Sequence, residues 1–97
     1  MCTNIMEKAQ VFGAGKSAQG WMPVNHVYVG YDHPNHAPLD HAVLIDFVDE
    51  TQGPSARVAV ELSSQSAQAL IEAIQAALEA GRAQHVVDDL LAVSKTT

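Results

Sequence analysis

The chain has 97 residues, of which 47% are hydrophobic and 16% are charged, and its net charge is −6. This length predicts one domain spanning residues 1–97. The acidic balance, with five Lys and Arg residues, argues against nucleic-acid binding, which needs several cationic contacts to phosphates. No run of 18 apolar residues is present, so no membrane span is expected. The N-terminus lacks a secretory signal pattern and a single cysteine suits a reducing compartment, so we expect a cytoplasmic protein.

The first two thirds of the chain predict a β-sheet, because apolar and polar residues alternate in short segments separated by turn residues. The predicted strands cover residues 4–12, 25–32, 41–49 and 56–62. The short connections between them favour an antiparallel meander.

The segment between the first two predicted strands, residues 13–24, is rich in glycine and ends near Pro23, which predicts a loop. We expect this loop either to bury Trp21 as a plug or to act as a mobile lid or subunit contact. In the second case Lys16 would meet an anionic ligand. Gly15-Lys-Ser resembles the end of a phosphate-binding loop, but Gln10 stands where that motif requires its first glycine.

After residue 62 the hydrophobic period changes from 2 to 3.6, which predicts a long helix over residues 64–80. Ser63 is the expected N-cap and Gly81 the expected residue just past the helix end. A short C-terminal helix is expected in the segment 83–93, where apolar residues recur on one side.

These elements predict an α+β fold, in which a four-stranded antiparallel meander carries the long helix on one face. One helix covers only one face of a sheet, and the opposite face includes Tyr28, Leu44 and Val48. A second copy of the chain is the simplest cover for these side chains. We therefore expect a homo-oligomer, most simply with twofold symmetry.

Three histidines lie within nine residues, at His33, His36 and His41, between the second and third predicted strands. Imidazole is the commonest metal ligand in proteins, and three of them leave an open position on a tetrahedral ion. Pro34 and Pro38 stiffen the segment, which lowers the entropy lost when the ion binds. The pattern predicts a transition-metal site with zinc or copper as the best candidates and nickel or iron as alternatives.

The meander topology brings the start of the first strand to the same sheet edge as this segment, so we expect the thiolate of Cys2 to join the ion. Asp32 and Asp40 flank the histidines and are expected to orient imidazole N–H groups rather than to bind metal. Without a metal, the same cluster would serve as a general acid–base site or would be an ordinary polar turn.

Several segments together resemble a family of small uncharacterised bacterial proteins. They are the opening Met-Cys-Thr, the loop 13–21 containing Gly-Ala-Gly-Lys and Ala-Gln-Gly-Trp, the segment 32–38 reading Asp-His-Pro-Asn-His-Ala-Pro, and the stretch 53–62. The resemblance covers residues 1 to about 80. It implies kinship without an established activity, and it supplies no catalytic residues.

Taken together, the sequence predicts a protein that holds a transition metal in a binding or accessory role. A metal-dependent enzyme acting on a small molecule is the second hypothesis, since an open coordination position would activate water or a substrate. A metal-free structural or interaction protein is the third.

Overall fold

The computed structural model describes residues 3–53 and 56–84. Its contacts divide the chain into two compact units, Met1–Ser64 and Gln65–Thr97. The first unit is a sheet and the second contains a long helix. The elements in chain order are β1 (Ile5–Ser17), β2 (Gly20–Asp32), β3 (Ala42–Val48), a 3₁₀ turn (Glu50–Gln52), β4 (Arg57–Leu62) and α1 (Ser64–Ala83).

The four strands form one antiparallel sheet in the order β1-β2-β3-β4, which confirms the predicted meander. Across one end of the sheet the register aligns Ile5 with Tyr31, Tyr31 with Val43, and Val43 with Leu62. The start of β1, the end of β2, the start of β3 and the end of β4 therefore lie at the same edge, as the topology predicts.

The predicted loop over residues 13–24 is wrong, because β1 and β2 continue through it as a long hairpin. Ser17 pairs with Gly20, which leaves a two-residue turn, and Gly20 adopts a φ of 115° that glycine tolerates best. The register shifts between Gln10 and Gly13, so a bulge absorbs the irregularity. The local preference of glycine favours a loop, but backbone pairing over the whole hairpin outweighs that preference.

The predicted buried plug is also wrong, since Trp21 is 72% exposed. Trp21 lies in β2 and is the cross-strand partner of Lys16 in β1. The tightly packed position in this hairpin is Gly15 rather than Trp21. A Cβ at Gly15 would lie 3.2 Å from a methyl of Val24 and 3.6 Å from a methyl of Val58 in β4.

The core of the sheet unit is small. Val24, Ala42 and Ile45 are its buried apolar residues in the described part of the chain. Asp49 is buried as well, and its carboxylate accepts hydrogen bonds from Asn25 Nδ2 at 2.9 Å and from the hydroxyl of Thr51 at 2.6 Å. These bonds satisfy the buried charge and hold the connection between β3 and β4 against β2.

The long helix is confirmed, and it follows directly after Ser63, the predicted N-cap. Its predicted end is wrong, because α1 includes Gly81 and ends at Ala83. A glycine inside a helix costs only about 1 kcal/mol relative to alanine, so it does not stop a helix by itself. The predicted C-terminal segment lies almost entirely outside the described residues. Within the described ranges, no helix has the length and apolarity needed to cross a membrane.

Gly30 provides a test of the pairing between β1 and β2. It is buried, and a Cβ there would lie 3.1 Å from the backbone carbonyl oxygen of Ile5, which cannot move without shifting β1. We expect Gly30→Val to lower the free energy of unfolding in urea by about 1–3 kcal/mol through overpacking. Gly13→Val is the matched control, since nothing lies within 4 Å of a Cβ at that position. Equal losses in the two variants would contradict this packing.

Candidate metal centre

His33 and His41 come together because of the register between β2 and β3. Asp32 and Ala42 form the last pair of this ladder, so the next residue on each side is a histidine. The two imidazole centroids lie 4.5 Å apart with 34° between the ring planes. Tyr31 stacks on His41, with centroids 5.6 Å apart and ring planes 16° apart, so β2 also supports the orientation of the second imidazole.

Asp40 completes a group of three side chains that could hold a metal ion with these two histidines. One ligand atom from each of His33, Asp40 and His41 lies within 4.8 Å of the others. Three donors on a tetrahedral zinc would be roughly 3.4 Å apart, given bonds of about 2.1 Å. Separations of up to 4.8 Å, as in this group, include that spacing.

The hydrogen bond of the His33 ring determines which of its nitrogens carries the proton. His33 Nδ1 lies 2.9 Å from the backbone carbonyl oxygen of Asp40, and His41 Nδ1 lies 3.3 Å from the Asp40 carboxylate. A carbonyl oxygen only accepts hydrogen bonds, so His33 Nδ1 is the donor and the lone pair of that ring is on Nε2. This tautomer is the one expected where an outer carbonyl or carboxylate orients a metal-binding histidine.

The loop between β2 and β3 is held by Glu61 of β4. The Glu61 carboxylate accepts backbone N–H groups from Asn35 at 2.8 Å, His36 at 2.9 Å and Ala37 at 2.8 Å. These bonds favour the ionised form, so they lower the pKa of Glu61, with the Ala37 and Asn35 N–H groups as the largest causes. One charged side chain thus fixes the backbone between the two clustered histidines.

The Asp32 carboxylate binds the backbone at the end of β2. Its carboxylate accepts the N–H of His33 at 2.7 Å, which, together with the backbone N–H of Thr3, lowers the pKa of Asp32. The Asp40 carboxylate lies 3.3 Å from His41 Nδ1. Asp40 is also the third member of the group of potential ligands, a role that the spacing did not predict.

The remaining predicted site residues are distributed differently. The ring of His36 is not part of the group formed by His33, Asp40 and His41. Cys2 lies outside the described residues, although the hydroxyl of its neighbour Thr3 donates a hydrogen bond to the carbonyl of Tyr31.

The two ligand candidates of the predicted loop are separated from the histidines by the length of β2. Lys16 and Trp21 lie at the turn of the hairpin, whereas His33 follows the other end of that strand. The structure therefore does not join these two residues to the histidine cluster.

Two features of this unit were missed in the sequence. The role of Glu61 depends on a contact with a loop 24 to 26 residues away in the chain, and its only signal is a polar residue at an alternating strand position. The second feature is Glu50, which binds Lys8 Nζ at 3.2 Å and His26 Nδ1 at 3.2 Å and accepts a hydrogen bond from Tyr28. This cluster lies near the opposite end of the sheet from His33.

The fold and the site thus define a small α+β protein with a four-stranded antiparallel sheet and a histidine–aspartate cluster at one sheet edge. The chain belongs to DUF6295, a family of unknown function whose model matches residues 1–87. This confirms the resemblance to an uncharacterised family. No curated protein and no solved structure matches the chain.

The three bonds to Glu61 generate a pH prediction. The folded-state pKa of Glu61 is lowered below its ordinary value of about 4.3, so its stabilising effect is complete above that value and is lost as the pH falls through the folded-state pKa. We expect the amide shifts of Asn35, His36 and Ala37 to titrate together with an apparent pKa below the ordinary one. NMR titration measures this directly.

Glu61→Gln is the control for this titration, because the amide keeps an oxygen acceptor but carries no charge. The common titration step should disappear in this variant. An apparent pKa at or above the ordinary value in the unmodified protein would contradict the role assigned to Glu61.

Proposed function

We propose that this protein binds one transition-metal ion through His33, His41 and Asp40, in a binding or accessory role. The observation that carries the proposal is the convergence of two imidazoles and a carboxylate within 4.8 Å. Two histidines and a carboxylate are a common donor set for divalent zinc, copper, nickel and iron. Zinc or copper is the preferred ion if the Cys2 thiolate also binds, because a thiolate is a soft ligand.

The exposure of the cluster supports a binding role over catalysis. His33 is exposed, and the side chain of Asp40 is 91% exposed. An ion held here is accessible to water and to other ligands, which favours exchange with a partner. Metal-dependent catalysis generally needs a shaped cavity that excludes water around the ion. A metal-dependent enzyme therefore ranks second, and it would require another surface to cover the site.

The proposed contribution of Cys2 follows from its place in the chain. The hydroxyl of Thr3, the next residue in the chain, donates a hydrogen bond to the carbonyl of Tyr31, and Tyr31 stacks on His41. A reducing cytoplasm would keep this cysteine as a thiol that can bind metal, and we propose the cytoplasm as the compartment of the protein.

The ligand assignment predicts a specific order among the histidine variants. We expect His33→Ala and His41→Ala to weaken zinc binding by more than about 100-fold, because even the loss of an outer partner costs 10–100-fold. His36→Ala should have a smaller effect. Isothermal titration of untagged protein with zinc, together with elemental analysis of the protein as purified, measures these differences.

His26→Ala is the matched control, because His26 is bonded near Glu50 rather than in the metal cluster. It should bind zinc like the unmodified protein. Equal metal content in all four variants would overturn the proposed site. An effect of His36→Ala as large as that of His41→Ala would instead show that the ligand set predicted from the histidine spacing is the correct one.

The participation of Cys2 is tested with cobalt(II) as a spectroscopic substitute for zinc. A bound thiolate should produce a charge-transfer band in the near ultraviolet, and Cys2→Ser should abolish this band while leaving the weaker visible bands of the histidine-bound ion. A spectrum that is unchanged in Cys2→Ser would remove Cys2 from the site without affecting the assignment of His33, Asp40 and His41.

A further inference from the structure

The outer edge of β1 is an unusual feature for a protein that acts alone. β1 and β4 are the edge strands of the sheet. β4 has six residues and carries Glu61, which binds the neighbouring loop, whereas β1 has 13 residues. Within the described ranges, β1 has a paired strand on one side only. Alternate N–H and C=O groups along such an edge point outward and fit another β-strand.

The apolar side chains of β1 favour an outer edge that is covered by another strand. Its four large apolar residues are all exposed, and Phe12 and Met6 are 92% and 60% exposed. The four are Ile5, Met6, Val11 and Phe12. Edge strands of monomeric proteins are usually short or protected by lysine, proline or covering loops, because an exposed apolar edge promotes association. A strand added along this edge would remove both the unpaired backbone groups and the apolar side chains from water.

We infer that β1 pairs with β1 of a second copy of the chain, antiparallel and around a twofold axis at Ala9, so that two sheets join into one. A twofold axis perpendicular to the sheet preserves its two faces, and residues opposed across antiparallel strands share a face. The axis must therefore lie midway between one residue and the same residue of the second copy, and it is named here by that residue. This condition reduces the pairing to a small number of registers.

The charges of β1 disfavour two of these registers. An axis at Glu7 would oppose two glutamates, and an axis at Lys8 would oppose two lysines, and both arrangements are destabilising. An axis at Ala9 places two small, exposed residues opposite each other and puts Lys8 opposite Gln10.

The pairing is compatible with the rest of the sheet. Lys8 keeps its ion pair with Glu50, since that contact is made across β2 and not across the outer edge. The bulge between Gln10 and Gly13 bends β1 and limits the length of the shared ladder. This inference does not depend on the proposed metal site, which lies on the connection between β2 and β3.

A crosslinking experiment tests both the edge and the register. In a Cys2→Ser background, Ala9→Cys places two thiols opposite each other at the axis, within the range of a disulfide. We expect mild oxidation to convert most of this variant into a covalent dimer. Ala59→Cys is the matched control on the other edge strand, where the alanine is also exposed, and it should remain uncrosslinked. Crosslinking of Ala59→Cys but not Ala9→Cys would overturn the inference.

A charge substitution tests the same interface without crosslinking. Ala9→Lys opposes two lysines at the axis and should shift the protein from dimer to monomer in sedimentation velocity at low micromolar concentration, whereas Ala59→Lys should leave the dimer unchanged. Zinc titration of Ala9→Lys should match that of the unmodified protein, so failure of the interface and failure of the metal proposal are distinguishable. A monomeric unmodified protein, or a dimer that survives Ala9→Lys, would overturn the proposed interface.

Discussion

The connection between β2 and β3 depends on the carboxylate of Glu61, which accepts three consecutive backbone N–H groups. Charge-assisted hydrogen bonds of this kind are stronger than neutral ones, and three on one carboxylate leave the loop little freedom. Pro34 and Pro38 restrict the same segment from within by fixing φ. The loop is therefore held at its centre by β4, while its two ends are continuous with the paired strands.

This arrangement explains why the candidate site forms at the ends of the loop rather than along it. His33 and His41 lie directly beyond the last pair of the ladder, so the strand register determines their positions. His36 lies in the part of the loop whose backbone binds Glu61, and its ring is not brought to the other two. Asp40, adjacent to His41, completes the group instead. The backbone carbonyl of this residue also explains the tautomer of His33.

The far end of the sheet is organised by a second acidic residue. Glu50 connects β1 and β2 through Lys8, His26 and Tyr28, and these contacts lower its pKa, with the Tyr28 hydroxyl as the largest cause. Buried Asp49 and Asn25 attach the same turn to β2. Carboxylates thus hold the strands and loops together at both ends of the sheet, which has few buried apolar residues. The proposed pairing of β1 with a second copy would enlarge the sheet that these contacts hold together.

The sequence by itself determined the number and order of the strands, their antiparallel meander, the long helix and the sheet edge that collects the histidines. These follow from local periodicity and from short connections, which involve neighbours in the chain. Tertiary structure alone decided that residues 13–24 continue a hairpin, that Trp21 is exposed and that Asp40 replaces His36 in the cluster. Each of these outcomes depends on backbone pairing or on a carboxylate distant in sequence, and a local pattern contains no information about such a contact.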